Sequence, residues 1–351
     1  MFNCFKLFFL VMNYFKKNIA WIIPSLIVIT FIVFFSIYFF TAKVDVLGDK
    51  AYIYVYPNST KQEVIENIKK QDIVFNSFVF KAYSVLLNYD KAHTGRYEIR
   101  NGMSVGKMVN MLAKGRQTPL RLVIGKSRTK EEFAAKIDNE LAFSKQELMA
   151  KLNDNDFLQQ FGLDSSTSIT LFIPNTYEVY WDISVENFFK RMNKEQDIFW
   201  KKRLGKLSEI GYSKIEVMTI ASIVEEETNQ EAEKPIIAGV YINRLKINMP
   251  LQADPTIKFA LNDFTIKRIT GNMLGVDSPF NTYRRTGLPP YPICIPSISS
   301  IEAVLNYSKH NYLFFCAKED FSGNHNFTAD INEHYNNARK YQKALDENDI
   351  Y

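Results

Sequence analysis

Residues 213–228 read SKIEVMTIASIVEEET, and the rest of the chain is best read outward from them. Ser213 can cap a helix, and Glu216 falls where a capping box needs it. Within that helix Ile220, Ile223, Val224 and Glu227 share one stripe, and Met218, Ala221, Ser222 and Glu225 share the next. Glu226 points about 100° away from Glu225. Three adjacent glutamates would ordinarily be a solvated helix end. Here Glu225 and Glu227 continue mostly apolar faces, so partial desolvation should raise a carboxyl pKa there and suit it to general-acid work. Helical position alone does not choose between Glu225 and Glu227.

Around this helix lie 351 residues, 46% apolar and 23% charged. That is enough chain for about two domains with a sizeable core. The net charge is +5, and Lys6, Lys16 and Lys17 supply three of the cations. The remainder is nearly balanced, which argues against a nucleic-acid surface. Three cysteines without a CxxC pair argue against a zinc ribbon or a disulfide scaffold. Residues 18–42 carry no charged side chain. At ~1.5 Å per residue they exceed a ~30 Å hydrocarbon core, and Trp21 and Tyr38 sit near the ends. The run is too long for a signal-peptide core and no A-x-A site follows it. The cations before it predict a cytoplasmic N-terminus, residues 1–17, and everything past about Val44 outside. Met12 offers an alternative start. Cys4 is then inside and Cys294 and Cys316 outside, either paired or as two buried thiols.

The outer part reads as α+β. A stalk over residues 43–50 leads to a small unit over residues 51–125, with strands at 51–56, 95–99 and 120–124. A helix capped by Ser59 or Thr60 runs through Lys70, Glu63 falling at the capping-box position if Thr60 is the cap, and further helices span 78–88 and 104–113. Residues 126–165 form amphipathic helices, and another helix over 185–204 ends at Gly205.

The segment TGRYEIRNGMSVGKMVNMLAKGRQTPLRLVI (94–124) resembles the LysM-like part of the YceG-like endolytic murein transglycosylases. The resemblance continues through FIPNTYEVYW (172–181), ASIVEEETNQEAEKPIIAGVYINRL (221–245), LQADPTIKFAL (251–261), DSPFNTYRRTGLPPYPICIPSISSIEAVLN (277–306) and LFFCAKEDFSGNHNFTADINEHYN (313–336). It implies a catalytic domain over residues 126–351. The first Glu of ASIVE, Glu225, is then the catalytic residue, with Glu227 not excluded by the helical reading. Asn243, Arg244, Gln252 and Asp254 would recognise sugar groups or support Glu225. Ser278, Asn281, Thr282 and Tyr283 would form one cleft wall, and Asn175 and Thr176 the opposite one. His325 would cap a turn or bind glycan. The chain departs from the family pattern at Asn175, where Asp is usual, at Ala253 and Tyr291, and at Ile295 and Ser297, where Asn and Gly are usual.

The implied activity is a lytic transglycosylase, a lyase that cuts the MurNAc–GlcNAc bond of nascent strands and leaves 1,6-anhydro-MurNAc ends. One glutamate suffices, because the attacking C6 hydroxyl belongs to the same sugar and is prepositioned. No metal or redox cofactor is needed, and no HExxH, P-loop or GxGxxG pattern occurs. The alternatives are a hydrolytic muramidase, with Asp254 as the second carboxylate, and a catalytically silent peptidoglycan-binding adaptor. Expected partners are glycan strands, inner-membrane lipid, and membrane glycan polymerases and transpeptidases, without nucleic acid.

Overall fold

The computed structural model describes residues 2–89, 91 and 93–348. It is a mixed α+β chain in two compact units, one ending at Pro119 and the other starting at Leu120.

The first unit opens with α1 (Phe2–Thr41). Its stretch Lys17–Thr41 is 25 residues long with a mean hydropathy of 2.5 and is unburied, long and apolar enough to cross a membrane. Then come β1 (Lys50–Val55), α2 (Lys61–Lys70), α3 (Ser77–Leu86), β2 (Gly95–Arg100) and α4 (Val105–Ala113). β1 and β2 pair antiparallel, with Ile53 opposite Tyr97. The helix starts follow from local chemistry: Thr60 and Glu63 close a capping box on α2, and Ser104 caps α4. The core gathers Ile53, Val55, Ile68, Phe80, Tyr97, Ile99 and Met108. Residues 43–50 are not a free stalk. Val44 and Val46 are buried in this core, and Lys43 bridges to Ser104 and Asp45 to Val74.

The second unit begins with β3 (Leu120–Ile124), followed by α5 (Lys130–Asp138), α6 (Lys145–Leu152), α7 (Asn155–Gln159) and β4 (Asn175–Val179). The sequence pattern assigns β3 to the small unit. It pairs instead with β4, Leu122 opposite Tyr177, and its alternating burial matches that two-sided ribbon. Next come α8 (Val185–Lys201), α9 (Leu204–Ile210), α10 (Lys214–Glu227), α11 (Lys234–Lys246), α12 (Asp254–Leu261), α13 (Ile298–Leu305), β5 (Phe314–Ala317), β6 (His325–Thr328) and α14 (Ile331–Glu347). Gly205 does not end a helix: it lies inside α9, which stops at Gly211 in the left-handed conformation.

α10 is the centre of this unit. Ser213 and Glu216 form its capping box, and every residue from Val217 to Val224 is buried. It packs with α11, α12 and α13 around Ile220, Ile223, Tyr241 and Ile301. α11 in turn presses on the loop before β5. A Cβ at Gly239 would lie 2.5 Å from the Ser308 carbonyl oxygen, so only glycine permits that approach.

Candidate active site

The three glutamates at the end of α10 meet three different surroundings. The α10 stripe of Glu225 runs into the start of α13. Its Oε2 accepts hydrogen bonds from the Ser297 hydroxyl and from Ser300 Oγ at 2.5 Å. The Ser297 backbone N–H is 3.3 Å away and Lys234 Nζ 3.5 Å. Burial alone would push this carboxyl up, but the two hydroxyls, Lys234 and Lys126 hold it below the ordinary value. This corrects the expectation that desolvation raises the Glu225 pKa. Ser297 is also the N-cap of α13, so the residue that replaces the family's usual glycine both starts a helix and binds a carboxylate.

Glu226 turns the other way. Arg128 grips it with Nε and Nη2, each at 2.9 Å, and Lys126 Nζ lies 2.9 Å from Oε1. Burial opposes its charge, but these cations win and keep it ionised.

Glu227 is the enclosed acid. The residue as a whole is half-buried, yet its carboxyl end is desolvated. The Tyr241 hydroxyl of α11 donates to it, 2.6 Å from Oε1. Desolvation pushes its pKa up to about 7, with nearby Asp254 adding to the rise and Tyr241, Lys258 and Arg244 opposing it. Near neutral pH this group can both give and take a proton.

Glu227 lines a cavity of about 380 Å3 together with Arg244, Gln252, Asp254, Tyr283 and His325. Six of the residues singled out from the sequence thus meet in one place. Arg244 is buried with its guanidinium spent on carbonyls, Leu313 at 2.6 Å and Leu251 at 2.7 Å. It orders the cavity wall beside Gln252, whose backbone is left-handed at φ 50°. Asp254 opens α12, and its Oδ1 accepts from the Tyr283 hydroxyl at 2.5 Å. Burial and that carboxylate drive the Tyr283 phenol far up, so it stays a donor. His325 is fixed by Glu233, which accepts from its backbone N–H at 2.8 Å and lies 2.7 Å from Nδ1. It therefore both opens β6 and faces the cavity.

The other predicted residues are placed as supports. Asn243 donates to the carbonyls of His310 and Tyr312 at 2.8 and 3.1 Å. Asn281 is buried and ties Leu274 and Val276 through its Nδ2. Thr282 holds Ala253 N and Thr256, and Ser278 accepts from Phe280 N. Ser278, Asn281 and Thr282 together shape the loop that presents Tyr283, while Asn243 ties down the segment before β5. Asn175 and Thr176 are exposed on β4 and do not line the cavity. Sequence reasoning missed Tyr241, Phe315, Cys316, His334 and Tyr341 as lining or contacting residues. The NEH triplet around His334 and Tyr241 both lie inside quoted motifs, at residues 313–336 and 221–245. Cys294 and Cys316 are unpaired; Cys294 is buried and Cys316 lines the cavity.

The Tyr241 contact carries a prediction. Its hydroxyl favours the charged form of Glu227. Tyr241→Phe should raise the Glu227 pKa further and move the basic limb of the pH–rate profile to higher pH. An unmoved limb would mean that Glu227 does not govern it.

A desolvated carboxyl poised near neutrality in a polar, aromatic-lined cavity defines a site for proton transfer. A family model, the YceG-like family, matches residues 53–340, and the chain belongs to that family. The chain is 30% identical over 308 residues to the endolytic murein transglycosylase of Bacillus subtilis (strain 168), covering 83% of this chain and 85% of that protein. It is 26% identical over 289 residues to the endolytic murein transglycosylase of Streptococcus pneumoniae serotype 2, covering 74% of this chain but only 52% of that longer protein. A crystal structure of a YceG-like protein from Listeria monocytogenes matches with a TM-score of 0.55 and 28% identity, over 82% of this chain and 99% of that one.

Proposed function

We propose that this chain is a membrane-anchored endolytic lytic transglycosylase of peptidoglycan, with Glu227 as its general acid and base. The observation that carries the reading is the desolvated Glu227 carboxyl, pushed up to about 7 in a cavity shared with Asp254, Tyr283 and His325. The curated relatives are named for the same activity. The motif resemblance favours Glu225; its engagement by Ser297, Ser300 and Lys234 leaves it a poor acid.

In the proposed reaction Glu227 donates its proton to the GlcNAc O4 as the bond to MurNAc C1 breaks. The Glu227 carboxylate then accepts the proton of the same MurNAc C6 hydroxyl as O6 bonds to C1. The nucleophile is intramolecular, so one carboxyl group serves both steps. The Tyr283 hydroxyl oxygen can accept from sugar hydroxyls while its proton is held by Asp254, His325 adds the ring nitrogen that Glu233 does not engage, and Phe315 and Tyr341 offer ring faces. α1 is read as the single-pass anchor with its N-terminus in the cytoplasm, which puts the site near emerging strands. The LysM-like unit orients the catalytic unit or binds glycan weakly, and wall polymerases and transpeptidases are the expected partners.

A second reading rests on Asp254. It shares the cavity with Glu227, and a carboxylate pair could activate water as in a muramidase. Digesting polymeric peptidoglycan with the purified protein and assigning sugar ends by mass spectrometry separates the two. Anhydro-muramic ends are expected; reducing ends would overturn the transglycosylase and favour hydrolysis, and an intact polymer would favour the adaptor.

A further inference from the structure

α1 is joined to the small unit without slack. The Ala42 carbonyl accepts from Val105 N at 2.9 Å, and Val44 N donates to the Met103 carbonyl at 2.7 Å. The last turn of α1 is already committed by its side chains. The Phe39 ring stacks on Tyr83 of α3, with centroids 4.6 Å apart and planes at 24°. The Tyr38 hydroxyl accepts from Asn76 Nδ2 at 2.5 Å. Asn76 is the residue that caps α3, its Oδ1 accepting from Phe78 N at 3.0 Å and Val79 N at 3.1 Å. Tyr38 and Phe39 lie within the apolar stretch Lys17–Thr41. α3 is therefore pinned at the level where α1 would leave the hydrocarbon.

The outward face of α3 suits that level. Its sequence, SFVFKAYSVL, holds one charge. Val79, Phe80 and Ser84 point into the core. Phe78 is 63% exposed, Val85 78% and Leu86 66%. Phe78, Lys81 and Val85 stand at i, i+3 and i+7 with Leu86 beside them, one continuous face. Val74, two residues before the cap, is 67% exposed and bridges to Asp45 just past the end of α1. Single exposed apolar side chains are ordinary. A row of them on one helix, fixed beside the exit of a membrane-length segment, is a surface with a partner.

We propose that α3 is an interfacial helix seated on the outer leaflet, with Phe78, Val85 and Leu86 at the headgroup–acyl boundary and Lys81 extended to lipid phosphates. The inference rests on the reading of α1 as the anchor. It makes the small unit a bilayer-seated collar instead of a head on a free tether.

The test uses the full chain in phosphatidylethanolamine–phosphatidylglycerol vesicles, with Cys4→Ala, Cys294→Ala and Cys316→Ala and a cooperative thermal melt as the folding check. An environment-sensitive fluorophore is attached through Phe78→Cys, Val85→Cys or, within α1, Phe31→Cys. Lipids spin-labelled at shallow or deep acyl positions then quench it. Shallow quenching at 78 and 85, exceeding deep quenching, with deep quenching at 31, is the expected result. Quenching at 31 without any at 78 and 85 overturns the α3 inference and leaves the anchor standing; that outcome would assign the face to a protein partner. No quenching at 31 overturns the anchor and, with it, the inference. A charge on the same face gives an independent readout: Val85→Glu should abolish shallow quenching at 78, and unchanged quenching would also overturn the proposal.

Discussion

Glu227→Gln is expected to abolish murein cleavage and, at neutral pH, to make the fold more stable. The loss of rate should be on the order of 10²–10⁴-fold, the usual contribution of a positioned acid–base group. At pH 7 an ordinary glutamate would be protonated only about 0.3% of the time, whereas a carboxyl at about 7 is protonated about half the time. The stability effect follows from the same displacement. The unfolded chain ionises this group near the ordinary 4.5 and the folded chain near 7. Between those values the folded state holds a proton that the unfolded state lacks, so stability falls as pH rises through the window and the loss is complete above it. At ~1.36 kcal/mol per pH unit the penalty reaches about 3 kcal/mol at pH 7.5. Glutamine has no such titration, and its carbonyl can still accept from Tyr241. The variant should therefore outlast the wild type in thermal melts at pH 7.5 and match it at pH 4. A variant that cleaves murein at the wild-type rate would remove Glu227 from the chemistry.

What the sequence made legible was local. The capping boxes at Thr60–Glu63 and Ser213–Glu216 depend on four residues each and are found as read. The apolar run before Ala42 needs only its own length. The errors lie where a distant partner decides. Leu120–Ile124 has the pattern of a third strand for the small unit, yet its partner is Asn175–Val179, some fifty residues on. Residues 43–50 read as a stalk because few of them are apolar, yet Val44 and Val46 both fill the core of the first unit.

The candidate site shows the same division. Helical periodicity correctly put Glu225 and Glu227 on apolar faces and turned Glu226 away. It carried no information on what stood opposite each face. For Glu225 that is the N-terminus of α13, some seventy residues later, and for Glu227 it is Tyr241 and the cavity. Two carboxyls two residues apart on one helix are thereby pushed in opposite directions. Motif order likewise grouped Gln252, Asp254, Tyr283 and His325 as site residues without saying that Asn281 and Thr282, between them in the chain, face inward to brace the loop.

That opposition yields the final expectation, for Glu225→Gln. The folded Glu225 carboxyl sits below its ordinary value. Its charge therefore adds stability that is present above the unfolded pKa and is lost as pH falls through the folded one. A glutamine at this position would keep the volume but weaken the hydrogen bonds of Ser297 and Ser300, which now reach a charged acceptor. It would also leave Lys234, almost wholly buried, with Glu231 as its remaining carboxylate partner. A hydrogen bond to a charged group is worth roughly 1.5–3 kcal/mol, and partial solvent access at Glu225 scales this down, so a loss of about 1–3 kcal/mol at pH 7.5 is expected. The deficit should begin to shrink as pH falls below the ordinary 4.5 and vanish once pH has passed below the lower folded value. Cleavage by the surviving folded fraction should persist, because none of the residues lining the Glu227 cavity, from Arg244 and Asp254 to Tyr283, His325 and Tyr341, takes part in these bonds to Glu225. Thermal melts at pH 7.5 and pH 4, paired with cleavage normalised to folded protein, check both halves. A Glu225→Gln variant that melts like the wild type at pH 7.5 yet cleaves nothing would return the acid role to Glu225.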